Sequence, residues 1–180
     1  MTIYEFLKKD HREVSKLFKK AKKAYASDPQ EAFKIFEDIK KELLAHAKAE
    51  ETVFYTPLKD ATQEENIDST EDVTLEGYEE HHMIALLIKE LSMLSCFDEA
   101  WGAKLNVLSE MVDHHVKEEE TDIFKKARAV FTWQQARDIC KEMRSLKEEL
   151  MKDIDLVLDQ EISEILPVET MEDINPEEIH

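Results

Sequence analysis

Glycine and proline are scarce in this chain of 180 residues, which contains two glycines and four prolines. Turns depend on these residues, whereas the abundant Ala, Leu, Glu, Lys and Met favour helices. The composition therefore excludes a β-rich architecture and predicts an all-α fold. With 42% hydrophobic residues, a chain of this length can form one continuous core with an extension.

Cysteine and basic residues are also few. Cys96 and Cys140 form no C-x-x-C motif, which excludes a disulfide framework and a thiolate metal site. Forty-two acidic against 24 basic residues give a formal net charge of −18, which repels the phosphates of nucleic acids and anionic lipid surfaces. No apolar run is long enough for a membrane span, and the charged N-terminus does not resemble a signal peptide. We therefore expect a cytoplasmic protein that binds neither nucleic acid nor membranes.

Apolar residues recur at three- and four-residue steps, as in amphipathic helices. Asp28 and Pro29 are predicted to begin the second helix and Pro57 to end it. The expected helices span roughly residues 3–25, 29–56, 75–95 and 98–130, with a fifth segment over residues 132–165.

The remaining segments lack an apolar period. Residues 59–74 predict a loop with partial helix, and the acidic tail 167–180 predicts disorder. The predicted organisation is a four-helix bundle over residues 1–130, a C-terminal helical extension over 131–166, and the tail. We expect the extension to pack across the bundle or to contact another chain.

Six polar residues of metal-ligating type occupy the apolar stripes of the four helices. His81 and His115 are predicted to face inward, because the stripes through their neighbours His82 and His114 meet charged residues. The candidate ligands are His11, His46, Glu50, His81, His115 and Glu119.

Two of these helices carry the same pattern, His-x-x-x-Glu-Glu, at residues 46–51 and 115–120. Residues four apart share a helix face, so each pattern presents an imidazole and a carboxylate to one point in the bundle. With single histidines from the other two helices, the core would hold four imidazoles and two carboxylates. Burying such carboxylates without a cation costs several kcal/mol. The set predicts a two-metal centre of Fe, Mn, Zn or Co, and its mixed nitrogen and oxygen ligands favour di-iron.

These motifs resemble those of the hemerythrin-like, or HHE cation-binding, family. The resemblance covers residues 1–130 in the segments DHREVSKLF, HAKAEETVFYTP, EEHHMIALL and HVKEEETDIFKKA. It implies an up-down-up-down bundle around two non-haem iron ions with an oxo or hydroxo bridge. Members of this family bind oxygen, nitric oxide or peroxide, sense oxygen or iron, or serve in the repair of iron centres.

One position departs from the oxygen-carrying members, which have a second histidine on the third helix where this chain has Gly77. This leaves one iron short of a nitrogen ligand unless Tyr78, Glu80, His82 or water substitutes, and the sequence leaves that question open. Glu51 and Glu120 are expected to support the ligands rather than to ligate. Tyr25, Tyr55 and Tyr78 are interpreted as packing phenols rather than as electron relays.

The leading functional hypothesis is a protein that binds or senses a diatomic molecule or peroxide, rather than an enzyme. The alternatives are an enzyme or repair protein acting on peroxide, nitric oxide or damaged iron centres, and an interaction protein stabilised by its metal. A homodimer through the C-terminal helix is a further hypothesis.

Overall fold

The computed structural model describes residues 1–64 and 70–165, and within them every regular element is helical. This confirms the all-α prediction. The α-helices are α1 (Ile3–Tyr25), α2 (Pro29–Glu50), α3 (Thr56–Glu64), α4 (Thr70–Met93), α5 (Glu99–Glu118), α6 (Phe124–Val130), α7 (Trp133–Leu150) and α8 (Ile154–Ile165). Two five-residue π-helical segments, Glu51–Tyr55 and Glu119–Ile123, join α2 to α3 and α5 to α6.

The helix starts follow local hydrogen bonding. The Asp28 carboxylate accepts a hydrogen bond from the Glu31 amide at 3.1 Å, and Pro29 occupies the first turn of α2, as predicted. Asp98 caps α5 in the same way, through the Ala100 amide at 2.8 Å.

Pro57 does not end the second helix, so that prediction was wrong. The helical path continues through the first π-helical segment into α3 and reaches Glu64. Pro57 lies in the first turn of α3, where a missing N–H group needs no helical partner. Residues 59–64 and 70–74 are accordingly helical, and the rest of the predicted loop lies outside the described residues.

The predicted fifth helix is two helices, α7 and α8, separated by a turn at residues 151–153. The Asp153 carboxylate accepts a hydrogen bond from the Leu156 amide at 3.4 Å. This bond caps the N-terminus of α8, so a new helix begins there. Both helices pack across the bundle. The predicted disordered tail lies outside the described residues.

The extension is fixed to the bundle by apolar contacts and ion pairs. In α7, Ile139 and Met143 are buried in a cluster with residues of α1 and of the first π-helical segment. From α8, Asp155 pairs with Lys40 at 2.7 Å, and Asp159 pairs with Lys89 at 3.0 Å. These contacts occupy the apolar stripe of α7 within its own chain.

Two apolar clusters form the core, one around Trp101 and Phe36 and the other around Phe54 and Phe124. The six polar residues that the sequence predicts as metal ligands lie between these two clusters. His11, for example, is flanked on α1 by Leu7 of one cluster and Val14 of the other. None of the described helices is long and apolar enough to cross a membrane.

Candidate metal centre

The structure gathers all six candidate ligands into two adjoining clusters. In each cluster the candidate ligand atoms lie within 4.8 Å of one another. The carboxylates of Glu50 and Glu119 are fully buried, and the four histidines are buried as well. One cluster consists of His11, His46 and Glu119, and the other of Glu50, His81 and His115.

Each carboxylate is grouped with histidines of other helices, and Glu50 also lies close to the histidine of its own helix. Glu50 Oε2 lies 3.6 Å from His46 Nε2 and 3.6 Å from His81 Nε2, one in each cluster. Glu119 Oε2 lies 3.0 Å from His11 Nε2 on the opposite helix. A carboxylate between two sets of imidazoles can bridge two cations.

Each of the four histidines is held from behind by a carboxylate at its Nδ1 atom. Four pairs share this arrangement: His11 with Glu120 at 3.0 Å, His46 with Asp10 at 3.3 Å, His81 with Glu51 at 2.8 Å, and His115 with Glu80 at 2.7 Å. A carboxylate accepts here, so we assign the proton to Nδ1 and leave Nε2 as a bare lone pair directed inward. Such partners orient a metal-ligating histidine and raise its basicity.

Glu51 and Glu120 therefore lie behind the candidate ligands, as the sequence predicted. The corresponding roles of Asp10 and Glu80 were missed. All four anchors obey one rule: each is the sequence neighbour of a candidate ligand but holds a histidine on a different helix. The available signal was an acidic residue directly beside four of the six candidate ligands, namely His11, Glu50, His81 and Glu119.

The carboxylates and imidazole nitrogens of the centre lack a positive charge or hydrogen-bond donors to balance them. Among the described residues, no hydrogen bond reaches either carboxylate oxygen of Glu50 or Glu119. His81 Nε2 and His115 Nε2 lie 3.1 Å apart, although both carry a lone pair in the assigned tautomers. Two ligands bound to one ion at about 2.1 Å and at a right angle are separated by about 3 Å. The residues present thus fit a pair of metal ions, and unpaired burial of these groups would be costly.

Burial shifts the ionisation of these groups strongly. It raises the pKa of Glu50 well above its usual range, with the nearby Glu119 adding to the effect, and it raises the pKa of Glu119 to about 8. Burial lowers the pKa of His46 to about 3 and those of His81 and His115 to about 4. Without a cation, this site favours protonated carboxylates and neutral imidazoles.

We expect the metal-free protein to lose stability on both sides of a mildly acidic optimum. The histidine pKa values lie below 6.5 in the folded state, so the unfolded state takes up more protons, and stability falls, as pH drops from 6.5 toward 4. The pKa of Glu119 is raised from 4.5 to about 8. Its contribution to the stability of the folded state is therefore full below pH 4.5 and is lost as pH rises to about 8.

Chemical denaturation of metal-free and metal-loaded protein across this range measures the effect. The bound cation favours the ionised carboxylates, so the stability gap between the two forms should widen from pH 4.5 toward pH 8. A gap that stays constant would show that these carboxylates do not interact with the metal.

The C-terminal extension reaches the centre through one buried lysine. Lys147 of α7 donates to Asp10 at 2.5 Å and to Glu42 at 2.7 Å, and Asp10 in turn accepts from His46. Burial alone would raise the pKa of Asp10, but the hydrogen bond and charge of His46, together with Lys147, hold it at about 2. The anchor of His46 is thus itself fixed from outside the four-helix bundle.

Tyr55 fills the space beside Gly77, the position at which the sequence resemblance implied that a histidine ligand is missing. A Cβ atom at Gly77 would lie 2.8 Å from Tyr55 Cε2 and 3.0 Å from its hydroxyl oxygen. The three side chains that the sequence left open as substitutes have other partners. The Tyr78 hydroxyl contacts Thr56 at 3.2 Å and the Glu51 carbonyl at 3.3 Å, Glu80 holds His115, and His82 is part-exposed at 3.7 Å from Glu79.

A small apolar cavity of about 20 Å³ adjoins both clusters. Its wall includes all four histidines and the side chains of Val14, Leu43, Ile84, Val112 and Val116. A cavity of this size holds about one water-sized molecule.

Comparison with known proteins agrees with this geometry. The hemerythrin HHE cation-binding domain matches residues 2–127, so the chain belongs to this family. It is a helical-bundle member whose histidine and glutamate clusters are able to bind metal. Helices α7 and α8, with Lys147, lie beyond the matched residues.

A curated relative, a DNA nickase from Nostoc sp., is 26% identical over 152 residues. The alignment covers 84% of this chain but 41% of the nickase, so the chain spans less than half of that protein's length. No solved structure matches the chain.

Proposed function

We propose that this protein holds two non-haem iron ions and binds or senses oxygen, nitric oxide or peroxide at a carboxylate-bridged centre. The observation that carries the proposal is the convergence of bare, buried ligand atoms. Four Nε2 lone pairs and two carboxylates meet in two adjoining clusters, and Glu50 lies close to histidines of both. His11, His46 and Glu119 would hold one iron, and Glu50, His81 and His115 the other.

The residues favour iron over the other ions that accept this ligand set. Neither Cys96 nor Cys140 is grouped with the candidate ligands of the described residues, and imidazole with carboxylate is the ligand set of non-haem iron. Iron, when bound, supplies reversible one-electron chemistry and a coordination position open to a small molecule. Affinity order alone does not select iron, so metal identity has to be measured.

The surroundings suit a small, uncharged ligand. The cavity beside the clusters has room for about one water-sized molecule. Val14, Leu43 and Ile84 give it an apolar wall, which disfavours ions and larger polar substrates. The carboxylate anchors fix the four imidazoles around this space. These features support binding of a diatomic molecule or peroxide.

Metal content per chain, measured on protein purified from its own host, tests the proposal. We expect two irons per wild-type chain and none in the double variant His46→Ala, His115→Ala, which removes one imidazole from each cluster. The matched control is His82→Ala, because this part-exposed neighbour of His81 lies outside the groups of candidate ligands. Titration of iron-loaded protein with oxygen, nitric oxide and peroxide, followed by absorption, then identifies the ligand. Metal that is absent from wild type, or equal in the double variant and the His82→Ala control, would reject the proposal.

The second candidate is an enzyme or repair protein acting on peroxide, nitric oxide or damaged iron centres. The iron-free chain and the histidine double variant are its controls. Peroxide turnover by the iron-loaded protein that is no faster than that of free iron would remove this option.

The DNA nickase relative raises a third activity, although its name belongs to a longer protein. This chain has a net charge of −18, which disfavours contact with a phosphate backbone. We propose that it does not bind nucleic acid, and conversion of supercoiled to nicked plasmid by the iron-loaded protein would contradict this.

The other cellular predictions are likewise proposals. Both cysteines are free, which suits the reducing cytoplasm. We retain the hypothesis of a homodimer through the C-terminal helix, although it must use the outer face of the extension, where Trp133 is exposed. Sedimentation of the full chain measures it.

A further inference from the structure

We infer that the Tyr55 phenol oxygen is a metal ligand in the cluster of Glu50, His81 and His115, in the place left open at Gly77. This inference rests on the proposed metal centre and adds a residue to it.

The first support is the mutual fit of Tyr55 and Gly77. The Tyr55 ring lies where the first carbon of any side chain at Gly77 would be, 2.8 Å from an added Cβ. A histidine at this position and the phenol at its present place therefore exclude each other. The glycine on α4 admits the ring into the helix interface.

The second support is the unpartnered hydroxyl group. Tyr55 is fully buried, and its hydroxyl has no hydrogen-bond partner within residues 1–64 and 70–165. Such a group is costly unless something else binds it. The Tyr55 ring is stacked on the imidazole of the candidate ligand His81, with centroids 5.7 Å apart and planes 5° apart.

The third support is the helix geometry that brings the phenol to this face. Tyr55 comes five residues after Glu50. On an α-helix, two residues with this spacing point about 140° apart around the helix axis. The π-helical segment Glu51–Tyr55 has a wider turn, in which residues five apart fall on nearly the same face. The segment therefore directs Tyr55 and Glu50 to the same side.

The fourth support is the broken symmetry between the two repeated segments. Phe124 holds in HVKEEETDIF the position that Tyr55 holds in HAKAEETVFY. Tyr55 is the last residue of the first π-helical segment, and Phe124 directly follows the second. Phe124 packs against Tyr4 at 5.3 Å in the apolar cluster. At this position, only the repeat beside Gly77 carries a phenol hydroxyl.

Ligation requires the phenol O–H bond to break. The proton passes to solvent, and the phenolate oxygen donates an electron pair to the ion, with no change in the oxidation state of either. A phenolate bound to ferric iron absorbs in the visible region and enhances phenolate ring modes in the resonance Raman spectrum. These signals report ligation directly and do not depend on activity.

The test compares full-length wild-type protein with Tyr55→Phe and Tyr78→Phe, each loaded with ferric iron and analysed for iron per chain. Tyr78 is the matched control, because its ring lies 5.5 Å from that of Tyr55 while its hydroxyl contacts Thr56. We expect the visible band and the phenolate modes in wild type and Tyr78→Phe, and their loss in Tyr55→Phe.

A second variant, Gly77→Ala, leaves both tyrosines in the chain. The added Cβ must displace the Tyr55 ring, so the band should shift or disappear although no hydroxyl has been removed. Circular dichroism confirms that each variant is folded. Wild-type protein that holds two irons but lacks the band, or a band unchanged in Tyr55→Phe, overturns the inference alone. Wild-type protein without bound iron overturns the proposed centre and this inference together.

Discussion

Replacing Glu50 and Glu119 by glutamine should stabilise the metal-free protein and abolish iron binding at the same time. Both carboxylates are fully buried, and without a cation they accept no hydrogen bond from the described residues. Glutamine keeps the shape, removes the ionisable group, and supplies an NH₂ group that can donate to the bare Nε2 atoms of His11, His46 or His81. Two opposite effects of one change are the signature of a site built for a cation.

The expected gain in unfolding free energy is about 2 kcal/mol or more near pH 8. It should shrink toward pH 4.5 and vanish below it, because the wild-type carboxylates are then protonated in both the folded and unfolded states. Urea denaturation of metal-free wild type and double variant, at a series of pH values, measures this gain. The control is the exposed pair Glu76→Gln, Glu110→Gln, which should change neither stability nor iron content. A double variant that is less stable than wild type in the metal-free state would contradict the prediction.

Replacing Lys147 by methionine should destabilise the protein by about 3 kcal/mol, because it leaves Asp10 buried without its ammonium partner. Asp10 also holds His46, so the loss should reach the metal centre. We expect iron affinity to fall by about tenfold or more, the range seen when such supporting contacts are removed.

Lys141→Met is the matched control for this prediction. It makes the same substitution on the same helix, but its ion pair with Asp138 is exposed at the surface, where such pairs contribute little. Adding Asp10→Asn to Lys147→Met should recover part of the stability, because it removes the unpaired charge. Equal effects of the Lys141 and Lys147 variants would mean that the buried network does not support the centre.

The apolar periodicity placed the four bundle helices and the inward histidines because a helix face repeats every 3.6 residues. His81 and His115 are buried, whereas His114 is exposed, so choosing the stripe with the fewest charged neighbours was sufficient. The same reasoning failed at Pro57, since a proline in the first turn of a helical segment does not stop it.

The role proposed for Tyr55 could not be predicted from the sequence. Counting residues on a regular α-helix directs it away from Glu50, and nothing in the composition of ETVFY announces a π-helical turn. The carboxylate anchors were hidden for a different reason. Asp10 holds His46 and Glu80 holds His115, so each contact crosses between helices and depends on how they are packed.

The sequence by itself determined the all-α class, the family, and the six ligand-type residues of the core, because each of these follows from composition or from spacing along one helix. Only the tertiary structure decided how these residues divide into two clusters, which carboxylate supports each histidine, that Lys147 of the extension binds Asp10, and that Tyr55 fills the space beside Gly77. The physical reason is that these contacts join separate helices. Their distances depend on packing, and a linear pattern does not encode the separation of two helices.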